Sequence, residues 1–128
     1  MVIVRVMLAN ESASAIARGA VVATRYCTVR RQFTSDGDNT KEANVIGYTM
    51  VQYRLFPILA YAYAMLFTGR WMNEMYDKLD KGLAKGDVSL LPEVHAVSSA
   101  LKSYGTGLAA DSIEECRKVC GGHGFSQV

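Results

Sequence analysis

Four sets of residues in this 128-residue chain have the side chains and spacing to do chemistry. The first is the run Cys116-Arg-Lys-Val-Cys-Gly-Gly-His-Gly-Phe125, in which glycines follow directly on a helix-like segment. Glycines there let the backbone approach a flat or phosphorylated ligand where a Cβ would collide, and they serve equally as an ordinary helix stop. The run lacks the G-x-G-x-x-G spacing of a dinucleotide fingerprint, so by itself it names no cofactor. The second set is Arg25, Arg30 and Arg31, the densest basic cluster, followed by Gln32 and Phe33. These arginines can take a phosphate, and they can also complement the negative end of a helix dipole. On a continuous helix Arg30 and Arg31 project about 100° apart, which predicts that at most one shares a ligand's face.

The third set is Cys116, Cys120 and His123. Cysteines at i and i+4 share a helix face, but a structural zinc site wants four ligands, usually with C-x2-C spacing. His95 is the other imidazole in the chain, and no metal is expected. The fourth set, Glu93, Glu114 and Glu115, reads as a solvated helix face, and nothing in it marks a catalytic base.

The elements that must position these residues are helical. Two stretches rich in Gly, Asp, Asn and Ser, Thr34 to about Asn44 and Lys81 to Leu91, read as loops. They separate three segments with apolar residues at spacings of three and four. The first carries many small residues (Ala13, Ala15, Ala17, Gly19, Ala20, Ala23), which let another helix come close. The second is apolar over a broad arc from Val51 to Leu83 and contains Pro57, which predicts a kink or a late start. The third opens with Pro92, suited to a first turn, and stops at Gly121 and Gly122. Period-2 alternation is confined to Val2-Ile-Val-Arg-Val, a strand end or an extended lead-in. The fold class is all-α, an antiparallel bundle of three long helices making one domain over residues 1–128. Three helices bury a core poorly on their outer faces, so self-association or a further partner domain is expected.

Half the residues are hydrophobic and 20% are charged, a globular balance. A net charge of +2 is too small to argue for nucleic acid or an anionic membrane as partner. The most apolar run, Phe56 to Phe67, is about twelve residues where a membrane span needs roughly twenty. Three cysteines form no even framework of the secreted kind, which favours a reducing compartment. Neither end carries a readable address: Arg5 interrupts the apolar start, and Ser-Gln-Val is not Ser-Lys-Leu.

Taken together, several runs make the chain resemble the helical C-terminal region of the acyl-CoA oxidases, within the acyl-CoA dehydrogenase superfamily. They are Val4-Arg5, Ala23-Thr-Arg-Tyr26, Val29-Arg-Arg-Gln-Phe33, Gln52-Tyr-Arg-Leu-Phe-Pro57, Ala60-Tyr-Ala-Tyr63, Leu91-Pro-Glu-x-His-Ala96, Leu101-Lys102 and Glu115-Cys-Arg-x-x-Cys-Gly-Gly-His-Gly-Phe125. Their order and spacing match as well as their wording, over nearly the whole chain. The resemblance implies a peroxisomal FAD enzyme of fatty acid β-oxidation, homodimeric as a whole protein, that converts fatty acyl-CoA and oxygen to trans-2-enoyl-CoA and hydrogen peroxide. It implies that Arg30 contacts the FAD pyrophosphate, that Gln32 and Phe33 approach the flavin nucleotide, and that Gln52 reaches the cofactor from the start of the second helix. Gly121, Gly122 and Gly124 match the turn along its adenosine end, and Arg5 matches an arginine near the substrate. Lys118 stands where related dehydrogenases often have glutamine.

In that family the catalytic glutamate follows in a Tyr/Phe-Glu-Gly motif downstream of the glycine turn, and an N-terminal helical domain and a β-domain cover the flavin. The chain is therefore expected to be a fragment that supplies cofactor contacts, has no catalytic residue of its own and is inactive alone. Two other readings stand beside this one: a non-catalytic helical association module, and an acyl-CoA dehydrogenase. The Cys-x-x-x-Cys-Gly-Gly-His-Gly wording and the long loop after Phe33 favour the oxidase.

Overall fold

The computed structural model describes residues 2–34 and 41–126. Its frame is three long helices: α1 (Val2–Val29), α2 (Thr49–Leu83) and α3 (Leu91–Val119). The lead-in Val2-Ile-Val-Arg-Val is helical, not extended. The reason is tertiary: Val6 is buried against Met72, Met75, Leu79 and Val94, a contact that a helical face supplies and an unpaired strand would not. Pro57 lies inside α2, which neither stops nor starts late there. The carbonyl that Pro57 leaves without a partner belongs to Tyr53, and both residues are exposed, so water can satisfy it. Pro92 occupies the first turn of α3, where a missing N–H costs nothing.

Two apolar clusters set the directions of the helices. One joins the end of α1 (Ala23, Cys27), the start of α2 (Leu55, Ile58) and the end of α3 (Ala109, Cys116). The other joins the start of α1, the end of α2 and the start of α3. Hence α1 and α3 run the same way and α2 runs against both. The helix α1 packs on both of the others, most extensively on α3. Its small buried residues Ala9, Ala13, Ala20 and Ala23 allow that approach. The outer face of α2 carries exposed aromatics at helical spacing, among them Tyr53, Phe56, Tyr63 and Phe67.

The stretch after α1 is more ordered than a loop. Strands β1 (Arg31–Thr34) and β2 (Glu42–Asn44) pair antiparallel, Arg31 opposite Asn44 and Thr34 opposite Glu42. The run Ser35-Asp-Gly-Asp-Asn-Thr, read as the heart of that loop, lies outside the described residues. A short 3-10 turn, Val45–Gly47, leads into α2, and its buried Val45 donates its N–H to the Arg30 carbonyl at 2.9 Å. A second 3-10 turn, Gly121–Gly124, follows α3.

Candidate functional site

The helix α1 ends at Val29, so Arg30 and Arg31 are not successive positions on a helix surface. This corrects the expectation that at most one of them can share a ligand's face. Both line one surface cavity of about 420 Å³, with Tyr26, Glu42 and His123 around it. Arg30 also lines a neighbouring cavity of about 290 Å³, and there it meets Gln32, Gly121, Gly122 and the same Tyr26 and His123. Residues 30 and 32 thus face the glycine turn across one cavity, though about ninety positions separate them in sequence. The convergence follows from α1 and α3 running parallel, which brings their C-terminal ends to the same end of the bundle.

Local hydrogen bonds hold the walls. The Arg30 N–H donates to the Tyr26 carbonyl at 2.8 Å, and the Tyr48 hydroxyl donates to the Gln32 carbonyl at 2.7 Å. The Tyr26 hydroxyl and His123 Nδ1 are hydrogen-bonded at 3.0 Å, with ring centroids 5.5 Å apart. Gly121 has φ +59°, a left-handed conformation that a side chain disfavours. A Cβ on Gly124 would run into the carbonyl of Arg117. A Cβ on Gly122 would meet nothing within 4 Å, because that position opens onto the cavity.

The expected residues do not all gather here. Phe33 is 70% exposed with φ 63°, beside the cavities without lining them. Gln52 is half-buried and donates from Nε2 to the Ile46 carbonyl at 3.0 Å, which ties it to the turn before α2. Gly124 lines a separate, largely apolar groove of about 560 Å³ between α1 and α3, shared with Gly19, Ala23 and Ile113. Arg5 is remote, about 37 Å of helix rise from Arg30. Its Nη1 donates to Ser99 Oγ at 2.8 Å and to His95 Nε2 at 3.0 Å, binding α1 to the start of α3.

The electrostatics limit what the site can do. Two helix C-termini converge here, each carrying about half a negative charge. Arg30 is opposite in sign to them, and Glu42 lines the same cavity as Arg31. A phosphate at this end could be held by short guanidinium and backbone hydrogen bonds. Among the described residues Arg30 makes no salt bridge. By contrast, Glu114 is held below the usual carboxylate range by its hydrogen bonds from Arg117, and Glu115 accepts a hydrogen bond from Lys118.

Burial disfavours the thiolate form of all three cysteines. Burial, with smaller contributions from Cys120, Cys27 and Glu115, pushes the Cys116 thiol up to about 11. Burial also raises Cys27 and Cys120. All three stay protonated near neutral pH, whereas a metal or an electrophile needs the thiolate. Among the described residues no three His, Cys, Asp or Glu side chains gather to hold a metal. No helix among them is long and apolar enough to cross a membrane.

Sequence reasoning missed Tyr26 and Tyr48 as site residues and weighed His123 only as a metal ligand. A histidine between glycines was a visible signal, but its partner Tyr26 is 97 positions away and only the fold shows it.

The sequence and the fold have counterparts in known proteins. Residues 1–128 match the family described as Acyl-CoA oxidase, C-alpha1 domain. Peroxisomal acyl-coenzyme A oxidase 1 of Arabidopsis thaliana is 46% identical over 125 residues, covering 98% of this chain and 19% of that protein. The crystal structure of an acyl-CoA oxidase from tomato, Lycopersicon esculentum, superimposes with a TM-score of 0.90 at 48% identity, over 98% of this chain and 19% of its own. Acyl-CoA oxidase-1 of Caenorhabditis elegans, complexed with FAD and ATP, does so with a TM-score of 0.93 at 40% identity and the same coverage. The chain thus spans about a fifth of the length of the relatives it matches. An all-α bundle with this helix order, this glycine turn and this identity over nearly every residue belongs to the acyl-CoA oxidase family, as its C-alpha1 domain.

Proposed function

We propose that residues 1–128 form the part of a peroxisomal, homodimeric acyl-CoA oxidase that holds the nucleotide portion of FAD. The observation that carries this reading is the cavity shared by Arg30, Gln32, Gly121 and Gly122, all four of which the family resemblance assigns to FAD. The residues fit such a group: a guanidinium without a salt-bridge partner among the described residues faces a turn whose Gly122 position is open space. Arg30 would bind the pyrophosphate in bidentate fashion, a geometry lysine cannot offer. Gly121 and Gly122 would admit the adenosine end, with Gln32 beside it, while Phe33 and Gln52 would act from the neighbouring surface. When bound, FAD supplies the electron sink for dehydrogenation of the acyl chain and returns the electrons to oxygen. The chain's own residues bind and orient, and no side chain among them is assigned as the base. Arg5, through its place at the far end of α1, would serve the substrate end. The names of the relatives support the peroxisomal compartment and the acyl-CoA substrate.

The test is a hybrid protein in which this segment replaces the corresponding one of the Arabidopsis oxidase. It should retain FAD and release hydrogen peroxide from a long-chain acyl-CoA. Arg30→Ala should weaken FAD binding at least tenfold, since a charge-assisted pair contributes about 1.5–3 kcal/mol. A hybrid that folds but holds no flavin would favour the association-module reading. Slow reoxidation of the reduced flavin by an oxygen pulse would favour a dehydrogenase.

A further inference from the structure

The hydrogen bond between Tyr26 and His123 lies where three cavities meet. Both residues line the cavity holding Arg30 and Arg31, the cavity holding Arg30 and Gly122, and the apolar groove beside them. Tyr26 is on the last turn of α1, is half-buried and packs against the main core cluster, so its ring is anchored. His123 is on the exposed turn after α3, which has little packing of its own: none of its four residues is buried. The 3.0 Å hydrogen bond to Nδ1 is thus a link from the rigid core to a turn that otherwise hangs from the end of a helix. Arg30, four residues after Tyr26, is joined to the same tyrosine by its N–H to the Tyr26 carbonyl. One residue therefore sets the position of both walls.

We propose that Tyr26 and His123 form a positioning latch that holds the Gly121–Gly124 turn in register with Arg30. The link is the hydrogen bond between the Tyr26 hydroxyl and His123 Nδ1, 3.0 Å long. Without the latch the turn keeps only its backbone contact between Gly124 and Arg117 on the last turn of α3, and the cavity loses its width at Gly122. Tyr26 acts through His123 and the turn, so its effect on a nucleotide is indirect. This inference rests on the FAD reading for its ligand, and on the geometry alone for the latch.

The experiment uses the hybrid oxidase and reads two quantities, FAD affinity and amide hydrogen exchange across residues 121–126 in the cofactor-free protein. Tyr26→Phe removes one oxygen and keeps the ring that packs in the core. Losing one hydrogen bond should weaken FAD binding about fivefold and speed exchange of the Phe125 and Ser126 amides by a similar factor, with the rest of the bundle unchanged. His123→Ala should do the same, and the double variant should be no worse than either single one, because both remove one interaction. His123→Gln, which keeps an acceptor, should restore much of the affinity. Additive losses in the double variant, or unchanged exchange in Tyr26→Phe, would overturn the latch. If exchange responds as expected but even the unsubstituted hybrid holds no FAD, the cofactor reading fails and the latch survives as a feature of the fold.

Discussion

Alanine at each of the three glycines of the closing turn has a different expected outcome, and the order of the three tests the site geometry. At Gly122 the backbone is not left-handed and a Cβ meets nothing within 4 Å. Gly→Ala at such a position stabilises by about 0.4–1 kcal/mol, because the unfolded chain has less freedom to lose. At Gly121, with φ +59°, the same change forces a side chain into the left-handed region and costs about 1–2 kcal/mol. At Gly124 the new methyl lies against the carbonyl of Arg117, its carbon 2.9 Å away. Backbone cannot yield as a side-chain tip does, and overpacking of this kind costs about 1–3 kcal/mol. The turn closes the end of α3 with no buried residue of its own, so it can undock before the bundle unfolds. That escape caps the global loss near the cost of releasing the turn. Urea unfolding followed by circular dichroism should rank the variants Gly122→Ala at or above the parent, then Gly121→Ala, then Gly124→Ala. In the hybrid oxidase the ranking for FAD differs: Gly122→Ala should weaken binding despite its unimpaired stability, because its methyl enters the cavity beside Arg30. A loss of more than about 1 kcal/mol at Gly122, or none at Gly124, would refute the described turn. Unchanged FAD affinity in Gly122→Ala would refute the placement of the nucleotide.

Three further outcomes are expected. Arg5→Ala removes the hydrogen bonds to Ser99 and His95 and should lower stability by about 1–2 kcal/mol while leaving FAD affinity unchanged, as measured by denaturation and flavin fluorescence. Met72→Ala, at a fully buried position, should cost about 2–5 kcal/mol and lower the thermal midpoint, because the cavity it leaves sits in the smaller cluster at the Arg5 end. Cys116 gives a pH signature: its folded value, about 11, lies above the ordinary 9.0, so its contribution is complete below pH 9.0 and is lost as pH rises toward 11. The fall in stability across that window should be smaller in Cys116→Ala, and an equal fall would show that other groups cause it.

How far the residues could be read in advance depended on the range of the interaction. Spacings of three and four made all three helices legible because each repeats one face along its length, and the face is a local property. The strands Arg31–Thr34 and Glu42–Asn44 were not legible. Each is too short to show alternation, and neither is stable without the other. The first turn of α1 was misread for a related reason: Val2-Ile-Val-Arg-Val favours extension by side-chain type, and only burial of Val6 against α2 and α3 overrides that preference.

The candidate site shows the same division. By itself the sequence determined the all-α class, the helix limits set by Pro92 and Gly121, and the arginines and glycines that could meet a phosphate, because these depend on backbone preference and side-chain charge within a few residues. The tertiary structure decided which of them meet. Running α1 parallel to α3 brought Arg30 and Gln32 to the glycine turn, sent Arg5 to the far end of the bundle, and put Tyr26 against His123. No local rule contains that outcome, since it follows from how three apolar faces find a common core.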